Sequence, residues 1–276
     1  MIITYLLTNN FMPIVLTGIV PHPPVLLESI GKEHRDSLKK TIESLHQLNQ
    51  DLIKNKVDTI IVISSHAPQI PQSFTLNLGK LENNEMIYQA DLKEYGDFQT
   101  EFSWKPDIYL SYKIKSYLET RAPLQLINQD KLDYGSLVPL SFLCAGLEDC
   151  QVLSLSPSNL DNETHRQLGR HLKEIFSNED KNIAIFVSGD LSHRIDEKLN
   201  PEQLNFDTQL LRYLEQGQGQ EITKWDPEFI KQHSACVFQP LLIMIGLLED
   251  YQWKFIKLSY EAPFGVGYLS GYFKLH

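Results

Sequence analysis

Three runs dominated by Val, Ile and Leu constrain this chain most: residues 13–20 (PIVLTGIV), 57–65 (VDTIIVISS) and 182–188 (NIAIFVS). Runs of this length without polar alternation read as strands buried on both faces, the pattern of a parallel sheet. Each run stops at a proline-rich or small-residue segment that carries a histidine. The segments are VPHPP, ISSHAP and VSGDLSHR, and the residues are His22, His66 and His193. In an open α/β sheet the carboxyl ends of parallel strands share one edge, where ligands bind. Three imidazoles placed there should converge, which is the raw material of a metal site or of proton transfer.

The rest of the chain alternates between strand and helix patterns. Further strands are expected at 124–128, 151–155 and 253–260. A long helix is expected at 30–54, where Leu38, Ile42, Leu45, Leu48 and Leu52 recur at three- and four-residue spacing. Others are expected at 107–120, at 161–176 with Asn159 or Asp161 as its cap, at 203–216, and at 227–249 after Asp226-Pro227. This order predicts an α/β fold, a single-domain αβ-sandwich over residues 12–276 with a mainly parallel central sheet covered by helices. Residues 70–106 are the least regular and should mix short strands with loops. In EAPFGVGYLSGYF, Gly265, Gly267 and Gly271 suit a strand that passes close to other backbone, not a phosphate loop. Residues 1–11 read as a frayed or mis-annotated extension before Met12, because Asn9 and Asn10 interrupt an apolar opening too short to span a bilayer.

Composition excludes several function classes. The net charge is −10 and the basic clusters are interrupted, which argues against a nucleic-acid partner. No segment reads as a membrane span. The 3 cysteines, Cys144, Cys150 and Cys236, form no CxxC pair, so neither a disulfide framework nor a zinc ribbon is expected and a reducing cytoplasm is the expected location.

Prolines flank His22, giving a rigid turn of the kind a metal ligand needs, although a solvent-facing turn histidine fits the same residues. His66 is pinned by Pro68. His193 follows Ser188-Gly189-Asp190-Leu191-Ser192, where Gly189 permits close approach of a ligand and Asp190 is placed to orient an imidazole or raise its pKa. His34, His46, His165 and His171 fall in helical patterns and read as partly exposed. His233 precedes Cys236 by three residues on the same expected helix face, so either one can reach a metal, or Cys236 is a small core residue. Cys144 and Cys150 are assigned to packing. In DYGSLVPL, a turn entering an apolar segment, Tyr134 can offer its hydroxyl to a ligand. No GxSxG elbow supports a serine hydrolase.

Taken in order, VPHPPVLL, ISSHAP, GDF, LDYGSLVPL, SGDLSHR, NFDTQL, WDPEF and YEAPFGVGY resemble the class III extradiol ring-cleavage dioxygenase superfamily, of the protocatechuate 4,5-dioxygenase β-subunit type. Within it the chain is most similar to the Memo-like, AmmeMemoRadiSam-associated branch. The resemblance implies a mononuclear non-haem Fe(II) site held by two histidines and a carboxylate, with an aromatic diol and O₂ as substrates. It carries His22 and His66 over as metal ligands and His193 as the acid/base. Two positions depart from the pattern. Ala235-Cys236-Val237 stands where relatives often read Glu-Cys-Gly, so Cys236 is the third ligand by position and Glu261 the fallback carboxylate. A thiolate there favours copper or zinc over ferrous iron. Tyr134 stands where relatives commonly have a histidine. The resemblance thus implies a diol-cleaving oxidoreductase, or a Memo-like metal- or ligand-binding protein without ring cleavage that works beside a radical SAM partner. A homo-oligomer is compatible with either.

Overall fold

Apolar runs that lack polar alternation must be covered on both sides, and the computed structural model, which describes residues 13–193 and 205–276, shows how. The first half runs β1 (Ile14–Val20), α1 (Glu28–Gly31), α2 (Lys39–Lys54), β2 (Thr59–Ser64), β3 (Phe74–Asn77), β4 (Lys80–Glu82), β5 (Glu85–Leu92) and β6 (Asp97–Pro106). There follow α3 (Ile108–Leu118), β7 (Leu124–Ile127), α4 (Tyr134–Leu143), β8 (Gln151–Ser156), α5 (Asn162–Phe176) and β9 (Ile183–Ser188). The chain closes with α6 (Asn205–Glu215), α7 (Gly219–Ile222), α8 (Pro227–His233), α9 (Phe238–Leu248), β10 (Trp253–Glu261) and β11 (Tyr268–Leu275). Every residue of β2 and β9 is buried.

The central sheet runs β10-β11-β1-β9-β2-β8-β6-β5-β4, with β3 paired to β8 and β7 to β3. Its middle, β1-β9-β2-β8, is parallel. β11 and β10 on one side, and β5 and β4 beyond the parallel β6 on the other, are added antiparallel, so the sheet is mixed and the expectation of a mainly parallel sheet fails. The reason is connection length: tight hairpins can make only antiparallel neighbours. Asn83 and Asn84, at φ +49° and +66°, turn β4 into β5 in the manner of a two-residue hairpin loop. That stretch is also more regular than expected, since β5 and β6 are 8 and 10 residues long. The β10–β11 hairpin adds to the other side through β1. A side chain at Gly271 would strike Phe255 and the Ile256 carbonyl, so this strand does pass close to other backbone.

Two apolar cores lie on opposite faces of the sheet. One joins α3, α5, α6 and α9 through residues such as Ile114, Leu168, Leu210 and Leu241. The other joins α2 and α4 through Leu45, Leu48, Leu137 and Leu140. The expected helix at 30–54 is regular only from Lys39. Lys32, at φ +46°, separates α1 from a tighter helical stretch over 32–38. The expected helix at 227–249 is broken at Ser234, which takes the left-handed conformation at φ +51° and divides α8 from α9. The start of the expected helix at 203–216, and the extension at 1–11, lie outside the described residues. Among the described residues no helix is long and apolar enough to cross a membrane.

His165, expected at a partly exposed position, is fully buried. Its Nδ1–H donates to the Asp161 carbonyl at 2.8 Å, and its Nε2 accepts from Ser158 N–H at 3.3 Å, a pair that only the neutral ring can make. Burial accordingly lowers its pKa. Between the unfolded value of about 6.5 and the lower folded value, the unfolded chain binds the extra proton, so this contribution to stability is complete above pH 6.5 and lost below it. We predict that His165→Gln costs about 1–3 kcal/mol at pH 7 and makes the fall in urea midpoint between pH 7 and pH 5 shallower. An unchanged pH slope would mean that the ring titrates normally.

Candidate metal centre

Strand register builds the centre. Val20 of β1 pairs with Ser188 of β9, and Ser188 pairs with Ser64 of β2, so three neighbouring parallel strands end level with one another. Two residues past those ends lie His22, Asp190 and His66. Equal offsets from level strand ends bring the three side chains to one place. The donor atoms of His22, His66 and Cys236 lie within 4.8 Å of one another. His22 Nε2 is 3.5 Å from Cys236 Sγ, and the two imidazole centroids are 4.7 Å apart at 84°.

His22 is buried, and its backbone N–H donates to Asp190 Oδ1 at 3.1 Å. Its Nδ1 lies 2.9 Å from Ser188 Oγ, which itself donates to the Gly135 carbonyl. A hydroxyl has one proton, so with that proton spent on Gly135 the Ser188 oxygen must accept from Nδ1–H. The Nε2 lone pair is then left facing Cys236. Burial lowers the His22 pKa to about 4, with Asp133 pulling it up and His193 pushing it down. His66 is also lowered to about 4, chiefly by burial. Both rings are therefore neutral at pH 7, the form that ligates metals.

Tyr134 Oη sits 3.0 Å from each ring nitrogen of His66. Tyr134 opens α4 rather than a loop, because the Asp133 carboxylate caps that helix. Asp133 accepts from Ser136 N–H at 3.0 Å and from Ser136 Oγ at 2.7 Å. Ser64 Oγ reaches the same carboxylate at 2.7 Å and ties the helix start to the end of β2. Gly135 has no room for a side chain against Ser64 and His66. Asp133, Gly135 and Ser188 were missed as supports in the sequence, although an Asp three residues before a Ser at the head of an apolar run is a recognisable cap signal.

The break at Ser234 delivers Cys236. Its Sγ accepts from Asp190 N–H at 3.1 Å, and its carbonyl accepts from Ser65 Oγ at 2.7 Å. Val237 N–H donates to the Asp190 carbonyl at 3.2 Å. The loop can dock this closely because residue 189 is glycine, where a Cβ would overlap the Val237 backbone. Burial raises the Cys236 thiol to about 12 and the Asp190 carboxyl to about 6. Asp190 Oδ2 lies 3.8 Å from His22 Nε2.

His193 is exposed, with its N–H donating to the His233 carbonyl at 3.0 Å and its Nδ1 3.1 Å from the Leu191 carbonyl. Its charge bears on His22 and His66 without joining their cluster. His233 does not share a face with Cys236, because the helix ends between them. It packs against Phe206 and Phe229, and its Nδ1 donates to the Phe229 carbonyl at 2.7 Å. Glu261 is likewise engaged elsewhere, accepting from Thr41 N–H and Thr41 Oγ1 at 2.8 Å each in the first turn of α2.

Two imidazoles and a thiol thus lie together on one edge of an α/β sheet, backed by a buried carboxyl. The model of the catalytic LigB subunit of aromatic ring-opening dioxygenase matches residues 16–271, and the chain belongs to this family of class III extradiol dioxygenase type. It is 25% identical over 266 residues to a 3,4-dihydroxyphenylacetate 2,3-dioxygenase of Escherichia coli, covering 89% of this chain and 95% of that protein. It is 24% identical over 273 residues to Protein CA_C1420 of Clostridium acetobutylicum, covering 91% of this chain but only 55% of that longer protein. The chain thus spans about half the length of the Clostridium relative. An uncharacterized Escherichia coli K12 protein, JW3007, shares the fold at a TM-score of 0.59 and 15% identity, over 94% of this chain and 99% of that one.

Gly189→Ala tests the docking of the Cys236 loop. We predict a loss of about 3 kcal/mol in stability from overpacking, read in thermal or urea melts, and at least a ~10-fold loss of zinc affinity. Retention of full zinc affinity would show that the loop position does not matter to the centre.

Proposed function

We propose that this chain holds one transition metal ion between His22, His66 and Cys236 and acts as an oxidoreductase that opens an aromatic diol with O₂. The convergence of three donor atoms within 4.8 Å is the observation that carries the reading. Family membership supports the reaction class, and the similarity to the Escherichia coli 3,4-dihydroxyphenylacetate 2,3-dioxygenase supports a diol as the substrate class.

The donor set fits a metal: two neutral imidazoles, one with its lone pair aimed by Ser188, and a sulfur that receives an N–H from Asp190. Family kinship favours Fe(II), whereas the thiol favours copper or zinc. A metal held there would supply Lewis acidity toward the diol oxygens and, if redox-active like iron or copper, a path for electrons between diol and O₂. The chain supplies orientation and proton handling. Ser188 holds His22 in one tautomer, and Tyr134 Oη offers a hydrogen bond beside His66. Asp190, a buried carboxyl with Oδ2 3.8 Å from His22 Nε2, holds His22 by accepting from its backbone N–H and stands beside the metal position. His193, exposed to solvent, is assigned the acid/base role toward the incoming diol by its resemblance to the family's motif.

Cys236 also favours a second reading, because it stands where a ferrous site would take a carboxylate. In that reading the chain is a Memo-like metal- or ligand-binding protein without ring-cleavage activity, working beside a radical SAM protein.

Anaerobic reconstitution with Fe(II), followed by oxygen uptake on a panel of catechols, separates the two. For the first reading, His22→Ala should lose both metal and uptake. His193→Ala should keep the metal and lose uptake by about 100-fold or more. In cobalt-substituted protein, a near-ultraviolet thiolate-to-cobalt band that disappears in Cys236→Ser supports the cysteine as a ligand. Bound metal without uptake on any diol favours the second reading, and failure to bind any metal sinks the first reading and the metal-binding form of the second.

A further inference from the structure

The exposed ring of His193 is held from behind by a chain of hydrogen bonds that begins at a buried carboxylate. The Leu191 carbonyl lies 3.1 Å from His193 Nδ1. A carbonyl oxygen only accepts, so Nδ1 carries a proton and Nε2 is the atom left to take a proton from a ligand or give one back. That carbonyl belongs to the same peptide unit as the Ser192 N–H, which donates to Asp207 Oδ1 at 2.9 Å. In a trans peptide the N–H and C=O point in opposite directions, so the carboxylate on one side sets the direction of the carbonyl on the other.

The surrounding fold places Asp207 for this. It is buried in the first turn of α6, and Tyr260 of β10 donates its hydroxyl to Oδ2 at 2.7 Å. Both oxygens thus accept, the pattern of an ionised carboxylate. Burial raises its pKa, and the Ser192 N–H and the Tyr260 hydroxyl draw it back down. The backbone it grips is held at further points. Leu191 N–H donates to the Gly267 carbonyl at 2.8 Å, Gly267 N–H to the Ser192 carbonyl at 3.0 Å, and His193 N–H to the His233 carbonyl at 3.0 Å. Residue 267 must be glycine for this, because a Cβ there would overlap Asp207 Oδ2. A neutral acceptor would hold the same backbone without the cost of burying a charge, so the charge itself calls for a use.

We propose that Asp207 is a positioning residue for the acid/base step, and that through the Leu191–Ser192 peptide it holds His193 as the Nδ1–H tautomer with Nε2 free to exchange protons. A charge-assisted bond to the Ser192 N–H polarises the peptide. The more negative Leu191 oxygen then stabilises the imidazolium that forms when a diol O–H bond breaks and its proton passes to Nε2. Asp207 thereby does across one peptide unit what a carboxylate bonded directly to a catalytic imidazole does in a triad. The inference deepens the function proposed above and rests on the acid/base role given there to His193.

The test is long-range ¹H–¹⁵N correlation spectroscopy of the full chain, labelled in its histidine rings, at about pH 8.5, where an ordinary imidazole is neutral. His193 is assigned from the signals lost in His193→Gln. In the unsubstituted chain it should show the Nδ1–H pattern, the tautomer that free histidine disfavours. Asp207→Asn keeps the shape and an acceptor for the Ser192 N–H but removes the charge, so the chain should fold and the Nε2–H pattern should appear. Tyr260→Phe keeps the charge and should keep the Nδ1–H pattern. In diol-dependent oxygen uptake, Asp207→Asn should lower kcat by about 10-fold or more with KM unchanged. Four results overturn the inference: an Nε2–H pattern in the unsubstituted chain, an Nδ1–H pattern that survives Asp207→Asn, an equal loss in Tyr260→Phe, or an unchanged kcat in Asp207→Asn. The spectra need neither metal nor substrate. If the tautomer follows Asp207 but no diol supports uptake, the positioning role stands and the proposed reaction is wrong. If His193→Ala abolishes uptake while the tautomer ignores Asp207, the reaction stands and the positioning role is wrong.

Discussion

In-register parallel pairing of β1, β9 and β2 is the constraint on which the rest of this molecule depends. Because Val20, Ser188 and Ser64 lie level, a two-residue overhang from each strand reaches the same point in space. A slip of one strand by a single residue would turn its side chains to the other face of the sheet and carry its ligand away from the cluster. Complete burial of β2 and β9 protects the register, since both faces of each strand are packed and any slip would open voids in two cores at once.

Burial also sets the chemistry. Desolvation holds His22 and His66 neutral and raises both the Cys236 thiol and the Asp190 carboxyl. Where desolvation dominates, charge is expensive, and an arriving cation meets lone pairs rather than competing protons on the two rings. The sulfur must give up its proton to become a ligand, and the Asp190 N–H is placed to stabilise the thiolate that results. The same Asp190 reaches both partners, through its carboxylate to the His22 N–H and through its backbone to Cys236. It therefore couples the β1 end to the loop between α8 and α9, and Gly189 beside it leaves room for that loop.

Much of this was legible in the residues. The strand positions at the sheet centre followed from the uninterrupted apolar runs, and the convergence of His22 and His66 from their place just past two of those runs. The antiparallel flanks were harder to see, because the half-buried β4–β6 meander has a diluted apolar pattern and its turn signal is an Asn-Asn pair rather than Asn-Gly. The break at Ser234 was invisible for a different reason. Residues 227–249 satisfy helix periodicity on both sides of it, and Ser234 is not a glycine, so no local preference announces a left-handed turn. His165 read as a surface residue because a lone histidine in an amphipathic helix carries no mark of the backbone groups that satisfy it.

The sequence by itself determined the α/β class, the buried central strands and the two histidines that strand ends must present, since hydrophobic periodicity and proline-stiffened turns are local properties. Tertiary structure alone decided which third donor joins them. Cys236, His233 and Glu261 are all available in the chain, and packing commits His233 to Phe206 and Phe229 and Glu261 to the start of α2, leaving Cys236 beside His22. Two parts of that choice depend on contacts between residues more than 200 positions apart, 214 for Cys236 with His22 and 220 for Glu261 with Thr41, which no local pattern encodes.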